Sequence, residues 1–506
     1  MRERIIGAET EYALFYEQDD KTLQVWFENK FLRDRYGFFD FLPDDIRQFY
    51  FPNQLNFLPN GARFYMDSGS HPEYATQEAR FLHDLLLYER VGDVMMEEVV
   101  ALMSEKTIHP KGRFRIFKNN LALDFGNNVL ITYGAHENYH MPRLAHTDPA
   151  GRVMREVLVP FLITRPVIAG SGSLFARGDR FVYVLSQRPC CISEVANPST
   201  TASRAIINTR DEPHADEEKY RRLHLIIGDS LMADVARLMK FGSTMMVLDM
   251  IETGFCRESF FGEISDEEFL RAMREFNSDP TLAKPRKLGN GSYTIVEVQQ
   301  MYVNAAKEFC GCFGSNPEYD EVLGYWEMLL EYAKEEYPHR HLAKYVDWAR
   351  KLCDLEGNME KKGFDWNTPA TAAIRESKKR DGRPYTLFNH LKQIDYCFSE
   401  LSPRGLARMH EAVGTLIRLV SAEDIARYRL LPKSNTRAYR RAVNYRLAQR
   451  MLESGKATTA FIDWGFVHIQ KDDFVVYHLD SKDPFAADPC VPPDLWQKYL
   501  SDINLS

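Results

Sequence analysis

Two short segments near the amino terminus place polar side chains at every second position, and this period limits the folds that the chain can adopt. In one of them Arg63, Tyr65 and Asp67 alternate with the apolar Phe64 and Met66. A period of two is that of a β-strand, which turns successive side chains to opposite faces. The pattern therefore predicts a strand with one polar face and one apolar face packed on a core.

The other segment contains Glu9-x-Glu11, which puts two carboxylates on one strand face, about 6 to 7 Å apart. Carboxylates that point onto a sheet are costly unless they are paired or bind a cation. The alternative explanation is a solvated strand face, and for a lone Glu-x-Glu pattern this is the more common one. The segment is therefore a candidate cation site with an ordinary alternative.

Strand and helix patterns alternate irregularly along the rest of the chain. Strand patterns cluster in the first half, and residues 260–420 are mostly helical. This order predicts an α+β fold with a mainly antiparallel sheet instead of a doubly wound sheet. Four local predictions are a helix from about 79 to 104, a strand over 129–139, an N-cap at Asp229-Ser230, and two strands over 459–470 and 474–479.

Composition bounds the function classes for this chain of 506 residues. Acidic residues exceed basic ones by 72 to 64, so non-specific nucleic-acid binding is excluded as the main function. The apolar run at 157–170 is too short to span a bilayer, and the amino terminus carries no apolar signal segment. The eight cysteines lack disulfide-framework spacing, which predicts a reducing, cytoplasmic location.

The segment from His136 to His140 matches the zinc-protease pattern H-E-x-x-H. That pattern binds zinc only on a helix, where the two histidines lie one turn apart. The β-rich residues before it and Pro142 after it indicate a strand, which would separate the histidines by about 13 Å. We therefore reject a zinc site and keep His136 and Glu137 as candidate lining of another site.

A third polar segment carries Arg210, Arg221 and Arg222. These arginines could neutralise a phosphate or a carboxylate substrate, or they could pair with the neighbouring acids. The sequence contains neither a Walker A motif nor G-x-G-x-x-G. A nucleotide, if bound, would therefore be held through metal-binding carboxylates and not by a glycine-rich loop.

Taken together, these motifs resemble the ligases that attach the prokaryotic ubiquitin-like protein Pup to lysines. That family belongs to the glutamine synthetase and glutamate–cysteine ligase superfamily. The matching pieces run from residue 5 to residue 485 in the family's order: IGAETEY, NGARFYMDSGSHPEYATQE, FKNN, YGAHENY, LSQR, INTRDEPHADEEKYRRLHLIIGDS, NTRAYRR, DWGFVHI and KDPF.

The resemblance implies a large glutamine synthetase-like catalytic domain over 1–418, with a curved antiparallel sheet packed by helices. It implies a small C-terminal α/β domain over 419–506 that contributes to the nucleotide site. The implied activity uses ATP and Mg²⁺ to activate the C-terminal glutamate of a Pup-like modifier as γ-glutamyl phosphate, and then forms an isopeptide bond to a substrate lysine. The implied protein is a cytoplasmic monomer in a proteasomal degradation pathway, with no nucleic-acid or membrane partner.

Carried over position by position, the resemblance also implies a set of site residues. The Mg²⁺ ligands would be Glu9, Tyr65 and Glu73, the ATP contacts Arg63, Thr76 and Trp464, and the catalytic base Asp67. Secondary roles fall to Glu11, His136, Glu137 and Arg210.

Two alternatives stay open. One is the sister enzyme of the same fold, which deamidates Pup and removes it from substrates; the run Ser68-Gly69-Ser70-His71 and the modest stretch 12–59 favour the ligase. The other is a non-catalytic modifier-binding protein, which is disfavoured because no expected acid is substituted. The modifier, standard Pup or a relative of it, is also open.

Overall fold

A seven-stranded sheet organises the computed structural model; across the sheet its strands are Glu194–Asn197, Ala205–Asn208, Tyr220–Leu225, Ala135–Pro142, Ile6–Glu11, Pro72–Ala75 and Arg63–Met66. Five of its six pairings are antiparallel, and only the first two of these strands run parallel to each other. The structure describes residues 3–18, 25–26, 57–67, 71–106, 112–124, 129–199, 203–374, 385–472, 474–480 and 482–502. The predicted helix-and-sheet class with a mainly antiparallel sheet is confirmed.

The described strands are β1 (Ile6–Glu11), β2 (Ala13–Gln18), β3 (Val25–Trp26), β4 (Arg63–Met66), β5 (Pro72–Ala75), β6 (Gly112–Phe117), β7 (Leu121–Asp124), β8 (Val129–Thr132), β9 (Ala135–Pro142), β10 (Ser173–Arg177), β11 (Arg180–Val184), β12 (Glu194–Asn197), β13 (Ala205–Asn208), β14 (Tyr220–Leu225), β15 (Arg286–Leu288), β16 (Gly291–Tyr293), β17 (Thr459–Ile462), β18 (Phe466–Lys471) and β19 (Phe474–Asp480).

The described helices are α1 (Leu82–Lys106), α2 (Val159–Thr164), α3 (Pro166–Ala169), α4 (Asp234–Glu252), α5 (Asp266–Asn277), α6 (Ile295–Phe313), α7 (Pro317–Ala333), α8 (Pro338–Leu342), α9 (Asp347–Lys361), α10 (Leu387–Phe398), α11 (Leu406–Ala412), α12 (Ala422–Tyr428), α13 (Arg437–Glu453) and α14 (Pro493–Tyr499). A π-helical segment (Met154–Leu158) precedes α2, and short 3-10 helices span Ala145–Thr147 and Arg188–Cys190.

Helices cover the apolar face of the sheet and leave its other face open. All of α4 is buried, which is typical of a helix at the centre of a large core. Phe64 of β4 is fully buried in the same core, and Met66 packs against it. The two-residue period of β4 therefore has the predicted consequence, since the polar side chains of that strand lie on the opposite face.

Two local predictions in the first half are corrected. The predicted strand over 129–139 is two strands, because β8 pairs with β7 while β9 enters the large sheet between β1 and β14. The long helix begins at Asp234 and not after Asp229-Ser230. Asp347, distant in sequence, accepts the N–H groups of Met232 and Ala233 instead. This contact holds the segment just before the helix, and because it spans a long sequence separation it leaves no local signal.

The C-terminal part forms a second hydrophobic cluster in which α13 packs on the sheet β17-β18-β19. The predicted strand over 459–470 is two strands, because the chain turns between Ile462 and Phe466. Ile425 still belongs to the large core, whereas Tyr439 belongs to the second cluster. The domain boundary at 418/419 stays a prediction. Among the described residues, no helix is long and apolar enough to cross a membrane.

Candidate active site

A cleft of about 900 Å³ lies on the open face of the seven-stranded sheet. Its lining includes all seven residues to which the sequence assigned primary roles: Glu9, Arg63, Tyr65, Asp67, Glu73, Thr76 and Trp464. The strands β1, β4 and β5 supply most of them from adjacent positions in the sheet. The roles themselves stay predictions, but the structure brings the residues together.

Three carboxylates meet at the centre of this cleft. Glu11 lies opposite Glu73 in the β1–β5 register, and Tyr65 lies opposite Glu73 in the β4–β5 register. Carboxylate oxygens of Glu11, Asp67 and Glu73 lie within 4.8 Å of one another. Burial, and then the negative charges of Glu9, Glu11 and Asp67, raise the pKa of Glu73 well above its ordinary value. The negative charge of these three clustered carboxylates is therefore not fully neutralised by the side chains around them.

Tyr65 donates its hydroxyl hydrogen to Glu73 Oε1 at 2.8 Å. Burial, followed by the charges of Glu9 and Glu73, raises the pKa of Tyr65, so the phenol remains protonated. In this structure Tyr65 is thus a hydrogen-bond donor to a carboxylate, and its role as a metal ligand stays a prediction.

Glu9 lies beside the central group in a second cluster with His136 and His224, whose ligand atoms lie within 4.8 Å of one another. Glu9 accepts a hydrogen bond from Asn138 at 3.1 Å and contacts His136 Nδ1 at 3.0 Å. Burial on its own raises the pKa of Glu9, but the hydrogen bond from His136 and the positive charge of Arg222 lower it overall. Glu9 is therefore ionised.

The sequence assigned no role to His224. Its side chain is buried, and neither ring nitrogen has a hydrogen-bond partner among the described residues. Burial lowers its pKa well below the ordinary value, which keeps the ring neutral and its lone pair available. The signal in the sequence is the alternation of Arg222 and His224 on β14, which places both on the face that carries His136.

His71 is a second residue without an assigned role. Its Nδ1 lies 2.6 Å from Glu11 Oε2, and its ring packs on Tyr133 at 4.4 Å. Burial raises the pKa of Glu11, but the hydrogen bond and charge of His71 outweigh it and lower the pKa overall. His71 thus orients one carboxylate of the central group. Residues 68–70, on which the ligase interpretation partly relied, lie outside the described residues.

Trp464 reaches the cleft from the turn between β17 and β18. His214 stacks on its ring at 5.4 Å between centroids, and Phe57 meets it edge-on at 5.0 Å. Beneath it, Glu78 bonds both Arg437 and Arg441 at 2.6 Å, and this contact joins α13 to the sheet. The aromatic wall is therefore held by a buried ion cluster.

Thr76 and Arg63 lie on the β5 and β4 side of the cleft. Thr76 Oγ1 accepts the backbone N–H of Ala8 at 3.0 Å, which leaves its hydroxyl hydrogen available to a ligand. The Arg63 guanidinium lies over the ring of Tyr65, 4.5 Å from its centroid. Both side chains can therefore contact a ligand that enters between Trp464 and the carboxylates.

The three arginines of the third polar segment pair with acids, which was one of the two explanations left open. Arg210 bonds Glu212 at 2.6 Å, and Arg222 lies 3.5 Å from both Glu9 and Glu212. Arg221 lies 3.6 Å from Asp148. All three nevertheless line the cleft.

The histidine-containing segment at 136–140 is a strand, as predicted, and this excludes the helical zinc pattern. His136 lines the cleft, but Glu137 does not. Glu137 points to the opposite face of β9, where it is fully buried and pairs with Arg165 at 2.6 Å. Its expected place in the cleft lining is therefore wrong, because adjacent residues of a strand face opposite ways.

By its fold and its cleft, the protein belongs to the class of α+β enzymes that present clustered carboxylates and arginines on the open face of an antiparallel sheet. The chain belongs to the Pup ligase family, because the family model described as "Pup-ligase protein" matches residues 4–467. It is 33% identical over 499 residues to the Pup–protein ligase of Pseudarthrobacter chlorophenolicus, covering 96% of this chain and 97% of that protein.

Two solved structures are similar along most of the chain. The complex between Pup and its ligase PafA matches with a TM-score of 0.78 and 27% identity, covering 98% of this chain and 91% of that one. The Pup ligase PafA in complex with ADP matches with a TM-score of 0.71 and 28% identity, covering 89% and 90%. The predicted family and fold class are confirmed.

Proposed function

We propose that this protein is an ATP-dependent ligase that joins the C-terminal glutamate of Pup, or of a closely related modifier, to lysines of other proteins. The observation that carries the proposal is the meeting of Glu11, Asp67 and Glu73 in one cleft that Trp464 borders. The family supports it, since one relative is named a Pup–protein ligase and PafA is found in complexes with Pup and with ADP.

The proposed reaction has two steps. A carboxylate does not acylate an amine until it carries a leaving group, so the γ-phosphoryl group of ATP passes to the γ-carboxylate of the glutamate. This step yields γ-glutamyl phosphate and ADP. The lysine amine then attacks the acyl carbon, the C–N isopeptide bond forms, the C–O bond to phosphate breaks, and the amine proton passes to a base.

We assign ATP binding to Trp464, Thr76 and Arg63. Trp464 and the His214 ring stacked on it form an aromatic wall of the cleft that a base can contact, and base–aromatic stacking contributes about 1–3 kcal/mol. Thr76 has a free hydroxyl hydrogen for a phosphate oxygen, and the Arg63 guanidinium suits the same anion. The three side chains line one cleft, which supports a single nucleotide position.

The acidic residues suit Mg²⁺, which prefers oxygen ligands. The raised pKa of Glu73 indicates uncompensated negative charge of the kind that a divalent cation offsets. Glu9, Tyr65 and Glu73 would hold the ion, which when bound supplies neutralisation of the phosphate charge.

We assign the base to Asp67, which follows β4 and is one of the three carboxylates of the central group. A lysine with a pKa near 10.4 is neutral in only about 1 of 2,500 molecules at pH 7. A positioned base contributes about 10²- to 10⁴-fold and offsets this deficit. Asp67 is only partly buried, so an incoming amine can approach its carboxylate.

We also propose that the protein is a cytoplasmic monomer and that residues 419–506 form a separate domain. The eight cysteines are all free thiols, which suits a reducing compartment. The second hydrophobic cluster suits a separate C-terminal domain.

The test incubates the protein with Mg·ATP, a Pup that ends in glutamate and a lysine-bearing protein. We expect a conjugate whose mass is the sum of the two proteins less one water, together with ADP and phosphate. Omission of ATP should abolish it. Release of Pup from a preformed conjugate, without conjugation under any of these conditions, would instead identify the deamidase activity. If neither a conjugate nor released Pup were detected, the protein would be a binding protein and the proposal would be overturned.

A further inference from the structure

The arginines of the cleft differ in their partners. Four of them have a carboxylate within 4 Å: Arg210, Arg221, Arg222 and Arg437. Arg188 and Arg204 line the same cleft, but within the described ranges neither has a carboxylate at that distance. The seventh arginine of the cleft, Arg63, lies over the Tyr65 ring. In the part of the chain that the structure describes, Arg188 and Arg204 thus line the cleft with no carboxylate within 4 Å.

Arg188 is the more constrained of the pair. It is 2% exposed, and among the described residues its guanidinium donates only to the carbonyl oxygens of Ile226, at 3.0 Å, and Tyr133, at 3.3 Å. Its backbone N–H is held by Asp229 at 3.1 Å. Burial lowers its pKa and the positive charge of Arg204 adds to this, while the more distant carboxylates of Glu11 and Asp229 offset part of the shift. A buried cation between neutral carbonyls is costly unless an anion binds beside it.

The sheet register places Arg204 far from the stacking wall. Asn208 at the end of β13 lies opposite His224, His224 opposite Asn138, and Asn138 opposite Gly7. Arg204 precedes Asn208 by four residues, about 13 Å along the strand. Because β13 runs antiparallel to β1, that displacement is toward Glu11 and away from Gly7.

His214, by contrast, follows β13 at its other end, where it stacks on Trp464. The carboxylates therefore lie between two different walls along the direction of β1. At one end are the aromatic ring and Thr76, and at the other are the two arginines. Arg188 belongs to the second end as well, because it bonds Tyr133, whose ring packs on His71 beside Glu11.

We propose that Arg188 and Arg204 bind the α-carboxylate of the modifier's C-terminal glutamate; the inference rests on the proposed function and names a subsite for its substrate. A terminal glutamate has two carboxylates, of which only the γ-carboxylate is to be phosphorylated. Binding of the α-carboxylate at the arginine end directs the γ-carboxylate toward the acidic centre. Two guanidinium groups recognise a carboxylate through charge-assisted hydrogen bonds.

A phosphate group also pairs with arginines, so the position in the cleft decides between the two anions. Thr76 bonds the backbone of Ala8, and Arg63 lies in the same row of the sheet as Glu9. A nucleotide stacked on Trp464 would therefore meet these two side chains with its phosphates before it reached Glu11. Arg204 lies past the carboxylates. A group bound there belongs to the acceptor of the phosphoryl group and not to its donor.

The experiment compares two synthetic Pup peptides, one with a free terminal glutamate and one in which only the α-carboxylate is a carboxamide. Each is tested with the wild type, with Arg204→Gln and with Arg204→Lys. Arg204 is chosen because it is partly exposed and its replacement leaves the buried Arg188 in place. Arg152→Gln, which removes an exposed arginine paired with Glu156, is the matched control.

For the wild type and Arg152→Gln we expect the carboxamide to lower kcat/KM about 100-fold. Arg204→Gln should lower kcat/KM for the peptide with the free terminal glutamate, also by about 100-fold. In this variant kcat/KM for the two peptides should differ by less than about 5-fold. Arg204→Lys should recover part of the lost kcat/KM and part of the difference between the peptides. In both variants KM for ATP should stay within about twofold of the wild-type value. These limits follow from the loss of one charge-assisted contact to a carboxylate.

An unchanged 100-fold discrimination in Arg204→Gln, or a wild type that does not distinguish the peptides, would overturn the inference. A rise in KM for ATP with discrimination retained would assign Arg204 to phosphate binding and overturn it as well. In all three cases conjugation by the wild type would leave the proposed function intact. Absence of conjugation with either peptide would contradict the proposed function itself.

Discussion

Replacement of Glu78 by glutamine tests the contact that holds the aromatic wall of the cleft. The Glu78 carboxylate bonds Arg437 and Arg441, each at 2.6 Å, and is 8% exposed. Burial on its own raises its pKa, but the charges of Arg441 and Arg437 outweigh this and lower it from 4.5 to about 2. This difference corresponds to about 3 kcal/mol of folding free energy at neutral pH.

The sign of the pH dependence follows from the lowered pKa. Glu78 is harder to protonate in the folded protein, so its contribution is present above pH 4.5 and declines as the pH falls toward 2. Glu78→Gln should therefore lower the free energy of unfolding by about 3 kcal/mol at pH 7. The difference in this free energy between the variant and the wild type should fall by about half between pH 5 and pH 3. Because Arg441 also lies 5.0 Å from the Trp464 ring, the variant should bind ADP more weakly.

Guanidinium chloride denaturation followed by tryptophan fluorescence measures the free energy, and calorimetric titration measures ADP binding. Glu331→Gln is the matched control, because it removes an exposed pair with Lys334 and should change stability by less than about 1 kcal/mol. Equal midpoints for Glu78→Gln and wild type at pH 7 would refute the reasoning. A difference that is the same at pH 3 as at pH 7 would refute the assignment to this carboxylate.

Three further substitutions address the site itself. Asp67→Asn should lower the rate of conjugation at least 100-fold while ADP binding stays within about threefold, measured by gel densitometry and titration; a rate near that of the wild type would contradict its role as base. Glu73→Gln should weaken Mg²⁺-dependent ADP binding and raise the thermal midpoint of the metal-free protein, because one charge of the crowded group is removed; identical Mg²⁺ titration curves would exclude a ligand role. Trp464→Ala should weaken ADP binding about 10- to 100-fold in the same titration, with His214→Ala intermediate, and an unchanged affinity would remove the stacking role.

The alternation of polar and apolar residues was enough to predict the central part of the site. It predicted the polar face of β4 and the shared face of Glu9 and Glu11, because these features depend only on the two-residue period. The strand at 136–140 was predicted instead from the β-rich residues before it and Pro142 after it. The same period explains why Glu137 turns away from the cleft to meet Arg165. For these residues local geometry decides the outcome.

Other parts of the site depend on contacts between distant segments. His71 bonds Glu11 across 60 positions, and Trp464 is flanked by His214 and Phe57 from two other parts of the chain. Asp347 accepts the N–H groups of Met232 and Ala233, just before a helix that begins more than a hundred residues earlier in the chain. No local pattern in the sequence encodes such pairs. The sequence therefore indicated Glu11 and Trp464 as site residues but not the side chains that contact them.

The central position of β1 makes the chain intolerant of a change in length at one place. Both edges of β1 are occupied, with Glu9 opposite Ala75 on one side and opposite His136 on the other. Insertion or deletion of one residue between Ile6 and Glu9 would turn Glu9 and Glu11 toward the apolar core and bring Thr10 to the cleft face in their place. Homologues of this chain should therefore vary in length in the surface connections and preserve the spacing within these six residues.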